Sequence, residues 1–207
     1  ESFSVHLMPS FGGENIAPNL DRFGKEGILF TNFYSTSFRT DRALTSIISG
    51  YPAQPSTSIM KFTEKIERLP SLSKTMKNAG YDIAYYYGGD ANFTNMRAYL
   101  VSAGFERIVC DKDFPLSERT GKWGAHDHLV FEKLLADLRT AKTKRPILRI
   151  LQTSSSHEPF DVPFHKFNDK AANAFAYADQ CLGSFVEELR RSPMWKNTVV
   201  VLVPDHQ

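Results

Sequence analysis

Residues 198–203 (TVVVLV) are apolar or β-branched at every position and run straight into Pro204-Asp205-His206. A strand that faces water on one side alternates polar and apolar residues. One without alternation must be covered on both faces, which is the environment of a central strand in a parallel sheet. Parallel neighbours are joined by crossovers, usually helices, and the rest of the chain supplies strands and helices in turn. Residues 18–27 (PNLDRFGKEG) predict a short helix with Pro18 at its start, Leu20 and Phe23 inward, and Gly27 as its stop. Residues 27–35 (GILFTNFYS) suit a buried strand. Ala43, Leu44, Ile47 and Ile48 then form a helical apolar stripe that Gly50 and Pro52 end.

Residues 51–69 mix polarity with Pro and Gly and read as a surface excursion. Ser71 caps a helix reaching Ala79, and residues 81–87 (YDIAYYY) predict a strand that ends in Gly88-Gly89-Asp90. A helix over 92–103, a short strand over 105–110, a loop over 111–122, a helix over 127–141 and a strand over 146–152 (PILRILQ) follow. Phe175, Ala178, Leu182, Phe185, Val186 and Leu189 hold the helical period through 173–191, which Ser192-Pro193 breaks. The expected fold class is therefore α/β: a doubly wound, mostly parallel sheet with helices on both faces, in one domain over 1–207.

In such sheets ligands bind beyond the carboxyl ends of the strands, and the polar clusters of this chain sit there. Thr40 lies between a predicted strand and a predicted helix, flanked by Arg39 and Arg42. Free N–H groups and the helix dipole at that position favour an anion; the plain alternative is a threonine N-cap. Asp205 and His206 offer an oxygen and a nitrogen to a divalent cation, or else form a turn with an exposed imidazole. His157 follows a Ser-rich turn after the 146–152 strand and is placed to protonate a leaving oxygen or hold a phosphoryl oxygen.

Asn95 and Arg97 follow the Gly-Gly-Asp turn, where an arginine suits an anionic group, although a solvated surface accounts for Arg97 equally well. His126, Asp127 and His128 have ligand-like composition, but neighbours at i and i+2 do not share a helical face, so a helix entrance is the expected role. Trp123, just before them, either lines a pocket or packs. The formal net charge of +2 and the absence of a Lys/Arg run exclude nucleic acid as a partner. No window is apolar enough to span a membrane, and no signal peptide is recognisable. Cys110 and Cys181 are read as two buried thiols or as one bridge.

Glu1-Ser2-Phe3-Ser4, Pro18-Asn19-Leu20-Asp21, Thr40 after a strand, Ser155-Ser156-His157-Glu158-Pro159-Phe160 and Asp205-His206, taken as an ordered set, resemble the lipoteichoic acid synthase-like phosphoglycerol transferases. These are enzymes of the sulfatase branch of the alkaline phosphatase superfamily. The resemblance implies that Glu1, Thr40, Asp205 and His206 hold a divalent metal, most often Mn²⁺, with Mg²⁺ or Zn²⁺ as alternatives. It implies that Thr40 is the nucleophile and that His157 contacts the phosphoryl or glycerol group, and it aligns Asn95 with a substrate-binding position. Arg39, Arg97, Trp123 and His126 are further substrate-binding candidates from the residues themselves. The partners would be a phospholipid head-group donor and an acceptor hydroxyl. The domain would work at the outer face of the cytoplasmic membrane, anchored by helices upstream.

Against that pattern, the strand before Glu1 is missing and the family continues beyond His206, so the domain is expected to be incomplete at both ends. Gln207 stands where the family has Gly, and the family's Trp/Arg pair is not reproduced around 93–97: Asn95 aligns while Arg97 is displaced. A formylglycine sulfatase needs Cys or Ser followed two positions later by Pro, whereas Thr40 is followed by Asp41 and Arg42. Phosphoethanolamine transferases use threonine but tend to be rich in disulfides, which two cysteines fit poorly. A phosphodiester hydrolase and a non-catalytic binding relative are the remaining alternatives.

Overall fold

The structure is a computed structural model and describes residues 2–206; Glu1 and Gln207 lie outside it. Its sheet has three parallel strands in the order β2-β1-β3, with β1 at Asp82–Tyr87, β2 at Arg107–Val109 and β3 at Ile147–Gln152. Tyr85 of β1 pairs with Ile108 on one side and Ile150 on the other. After Asp82, every β1 side chain is buried, as the unbroken apolar run requires of a central parallel strand.

The two faces of β1 feed two cores. Ala84 and Tyr86 point into a cluster with Val130, Phe131 and Leu134 of α6 (Asp127–Thr140) and Phe185, Val186 and Leu189 of α7 (Lys170–Arg190). Ile83, Tyr85 and Tyr87 point the other way, onto Leu44 and Ile48 of α2 (Thr40–Ser49) and Tyr99 and Leu100 of α5 (Met96–Ser102). Helices on both faces of a parallel sheet make the doubly wound α/β architecture expected from the alternation. Two further helices, α3 (Thr63–Ile66) and α4 (Leu72–Asn78), lie between α2 and β1, and α4 is capped by Ser71 Oγ on the Lys74 amide.

α1 (Pro18–Glu26) is fastened to α7 by one carboxylate. Asp179 accepts from the Asn19 amide at 3.0 Å, the Leu20 amide at 2.8 Å and the Asn19 side chain at 2.9 Å. It thereby satisfies N-terminal donors of α1 with a negative charge, where the helix dipole favours one. Gly183, one turn along α7, makes the room: a Cβ there would meet Asn19 Cγ at 2.5 Å.

Several expectations need correction. Residues 27–35 and 198–203 join no ladder among the described residues, and Thr31-Asn32 form a turn within the first. Ile28 is 87% exposed and Phe30 75%, while Val199 is 87% exposed and Val201 74%. Val200 alone of the second run packs on the α6–α7 core. An apolar run records a demand for burial; a strand also requires a partner backbone in register.

The 51–69 stretch is not a mere surface excursion, because Met60 and Ile66 are fully buried in the α2–α5 core. The expected 92–103 helix begins only at Met96, since Thr94 (φ 52°) and Asn95 (φ 64°) are left-handed and break it. The long last helix starts earlier than its apolar stripe, at Lys170, capped by Asp169 on the Ala172 amide at 2.7 Å. Cys110 and Cys181 are separate buried thiols. Among the described residues no helix is long and apolar enough to cross a membrane.

Candidate active site

Thr40 is the first residue of α2, not its cap. The N-cap is Arg39, in extended conformation (φ −144°, ψ 136°), whose carbonyl accepts the Ala43 amide at 3.0 Å and whose side chain makes no cap bond. The Thr40 hydroxyl is thus left for another partner. It lies 3.3 Å from Nε2 of His206, a residue 166 positions away in sequence. His206 and Asp205 are both buried, at 9% and 7% exposure. Asp205 Oδ1 accepts the His206 amide at 2.9 Å, which fixes the dipeptide's turn, and its Oδ2 lies 3.8 Å from His206 Nε2.

Asp205 also reaches the sheet electrostatically. Burial pushes the Tyr85 phenol well above its ordinary pKa, and the charges of Tyr87 and Asp205 push the same way. α2, which Thr40 opens, packs on β1 through Leu44 and Ile48, and the Tyr85 hydroxyl is tied across to Gln152 at the end of β3. Around Thr40 the arginines differ. Arg42 is committed, with Nη1 donating to the Pro55 carbonyl at 2.6 Å and its guanidinium 5.3 Å from the Phe38 ring. Arg39 is half exposed and reaches the buried Asp41 at 3.4 Å.

A second group forms in the loop after β3. The His157 and Trp123 rings pack edge-on with centroids 4.5 Å apart, and the Phe93 ring packs edge-on against Trp123 at 5.5 Å. Trp123 Nε1 donates to the Glu158 carbonyl at 2.7 Å, which pins the indole to the turn that carries His157. A pocket opens here between Trp123, His126, Ser155, His157, Pro159 and Asp161. His126 is the N-cap residue of α6, so the expected helix entrance is what the structure has. Its imidazole is held below the ordinary pKa by burial and then by His128, whose ring in turn hydrogen-bonds the Tyr177 hydroxyl.

Asn95 and Arg97 are placed apart from that pocket's lining. Asn95 Nδ2 donates to the Met60 carbonyl at 2.5 Å. Arg97 donates to Asn92 Oδ1 at 3.2 Å and to Cys110 Sγ at 3.0 Å. Both side chains tie the left-handed turn to its surroundings.

The sequence reading missed Asp127 as more than a helix start. Its carboxylate is fully buried and accepts the Ser154 and Ser155 amides. Burial raises its pKa to about 6 against the opposing pull of those two bonds.

A family model of the sulfatases matches residues 1–207. The chain belongs to the Sulfatase family. Within that family it is 22% identical to the lipoteichoic acid synthase-like YvgJ of Bacillus subtilis, over 98% of this chain and 35% of that protein. It is 23% identical to phosphoglycerol transferase I of Xanthomonas campestris, over 92% of this chain and 30% of that protein. The chain thus spans about a third of the length of the curated relatives it matches. A crystal structure of an alkaline phosphatase superfamily protein from Vibrio parahaemolyticus superposes with a TM-score of 0.86 at 30% identity, covering 94% of this chain and 49% of that one.

For a Sulfatase-family chain the donor set at Thr40 is chemically apt. A carboxylate, an imidazole and a hydroxyl, two of them buried, form a mixed O,N set of the kind that suits manganese or zinc. Among the described residues no three His, Cys, Asp or Glu side chains converge; the third donor here is the threonine oxygen. Glu1, the fourth expected ligand, lies outside the described residues.

Proposed function

We propose that this chain carries the catalytic centre of a metal-dependent phosphotransferase. It would move a phosphoglycerol-type head group from a phospholipid to an acceptor hydroxyl through an intermediate on Thr40. The observation that carries the reading is the Thr40 hydroxyl 3.3 Å from the His206 imidazole, at the N-terminus of a helix and next to the half-exposed Arg39. A hydroxyl in that setting can meet an anionic phosphoryl group with the helix dipole and the Arg39 charge both favourable.

Asp205, His206 and Thr40 would hold the metal, with Glu1 as a fourth ligand. A divalent ion bound there, Mn²⁺ in this reading, supplies Lewis acidity that favours the alkoxide form of the threonine. Thr40 Oγ1 attacks phosphorus, a new P–O bond forms, and the bond to the diacylglycerol oxygen breaks. That oxygen leaves with a proton, which His157 would donate. The α2 amides and Arg39 stabilise the charge gathering on the phosphoryl oxygens. In the second half the acceptor oxygen attacks, the Thr40–phosphorus bond breaks, and His157 takes the acceptor's proton.

The names of the relatives, a phosphoglycerol transferase and a lipoteichoic acid synthase-like protein, support the head group. The place of action in this reading is the outer face of the cytoplasmic membrane, with the domain tethered there by upstream helices. The test is intact and peptide mass after incubation with phosphatidylglycerol and Mn²⁺. A glycerophosphate adduct on the peptide holding Thr40 is expected. Product release without any adduct, in wild type and in acceptor-starved reactions alike, overturns the covalent route.

A further inference from the structure

The loop that carries His157 is held at its root by a side chain to which the proposed chemistry gives no part. Asp127 opens α6 and is 1% exposed. Its Oδ1 accepts the Ser154 amide at 2.8 Å, and both oxygens accept the Ser155 amide at 3.3 Å. The Asp127 amide returns a bond to Ser155 Oγ at 2.9 Å. These bonds cross from α6 to residues 154–155; the carboxylate is spent on the loop and not on the first turn of its own helix, so it is not simply a cap.

The clamp leads directly into the His157 turn. The Ser154 carbonyl accepts the His157 amide at 3.1 Å, and the His157 carbonyl accepts the Phe160 amide at 2.9 Å. Four residues before Asp127, Trp123 grips the other side of the same turn through the Glu158 carbonyl and the ring contact with His157. One short segment, 123–127, therefore holds the imidazole's loop at two points. A carboxylate is specifically suited to the inner point because it is acceptor-only and both amides that meet it are donors.

We propose that Asp127 is a positioning residue for His157: its buried carboxylate sets the loop after β3 so that the imidazole stands against Trp123. This rests on the role given to His157 above. Asp127→Asn keeps the shape and one oxygen for the Ser154 and Ser155 amides, but it removes the charge and sets an NH₂ donor against the Ser155 amide where Oδ2 accepted it. It should release the turn, lowering kcat by roughly 10–100-fold, the loss typical when a group that orients a working imidazole is removed. KM should change less than kcat, since Asp127 itself is buried away from any substrate.

The test uses two readouts on the full chain with metal. Trp123 and Trp195 are the two tryptophans, so in a Trp195→Phe background the fluorescence of Trp123 reports quenching by protonated His157; His157→Ala identifies that quench by abolishing it. Asp127→Asn should cut the quench amplitude by at least half, and Ser155→Ala, which removes only the returning bond, should cut it less. In turnover, the double variant Asp127→Asn/His157→Ala should be no slower than His157→Ala alone. An undiminished quench in Asp127→Asn overturns the proposal, as does a double variant whose losses multiply. If His157→Ala turns over like wild type, the function assigned to His157 falls, and the quench still decides the positioning. If Asp127→Asn does not fold, Ser155→Ala decides: a wild-type quench there overturns the proposal.

Discussion

Thr40→Ala separates folding from chemistry at this site. As a helix cap, threonine replaced by alanine would cost about 1 kcal/mol. The structure removes that term, because the cap is Arg39 and the Thr40 hydroxyl faces His206. What is lost is one hydrogen bond, about 0.5–1.5 kcal/mol. What is gained is helix propensity, about 0.5 kcal/mol, since alanine is the better former. The net cost is therefore about 0–1 kcal/mol, a shift in melting temperature of at most about 2–4 °C for a domain of this size.

Turnover should behave quite differently. With the attacking oxygen gone the covalent route is closed, and kcat should fall by roughly three orders of magnitude or more, above 4 kcal/mol of lost transition-state stabilisation. Thr40→Ser keeps the oxygen and should keep measurable activity. Urea unfolding measures the first quantity, and release of diacylglycerol from phosphatidylglycerol in the presence of Mn²⁺ measures the second. A folded, metal-loaded Thr40→Ala protein as active as wild type refutes the nucleophile. A destabilisation well beyond 1 kcal/mol refutes the reading of Arg39 as the cap.

Asp205→Ala should abolish tight Mn²⁺ binding while the fold persists; equal metal in variant and wild type by elemental analysis would remove Asp205 from the ligand set. Gly183→Ala places a methyl 2.5 Å from Asn19 Cγ, so it should destabilise the α1–α7 contact by about 1–3 kcal/mol, read as a lowered urea midpoint, whereas the exposed Ser184→Ala should be nearly silent. Asp127 has a native pKa of about 6 against the ordinary 3.8. The folded state therefore holds the extra proton between those values, and the group's contribution to stability is full below pH 3.8 and lost as pH rises through 6. The loss is worth about 3 kcal/mol. The stability gap between wild type and Asp127→Asn should move by that order across this window, in favour of the variant at higher pH, and a gap that stays flat would contradict the raised pKa.

The elements with an internal cause were legible in the sequence. β1 is apolar after Asp82 and bounded by Gly80 and Gly88; α6 and α7 carry long stripes at the helical period; Gly50 ends α2 in the left-handed conformation at φ 62°. Where a partner decides the outcome, composition falls short. Residues 198–203 satisfy every local criterion for a central strand and pair with nothing described. Met60 and Ile66 looked like surface because their neighbours are polar and broken by Pro, yet they fill the α2–α5 core.

Of the four polar clusters, those at 88–90 and 154–157 follow strands in the structure and those at Thr40 and Asp205-His206 do not, yet the structure brings Thr40 to His206 across 166 residues. Trp123 and His157 meet although nothing local joins residues 34 positions apart. Arg97 was open to two readings because an arginine's charge is visible in a sequence, whereas its engagement by Asn92 and Cys110 is not. Asp127 was visible as a helix start; that its carboxylate turns away from the helix depends on where β3 delivers Ser154 and Ser155.

The contact between Thr40 and His206 also has a consequence for how the chain is made. A ribosome adding about 5–20 residues per second needs roughly 8–33 s to travel from one to the other. Throughout that interval the hydroxyl has been synthesised and its imidazole has not. The latch of α1 on Asp179 waits nearly as long, since its partners are 160 positions apart. The α1–α7 latch and the contact of Thr40 with His206 therefore form only after β1, α6 and β3 have been synthesised.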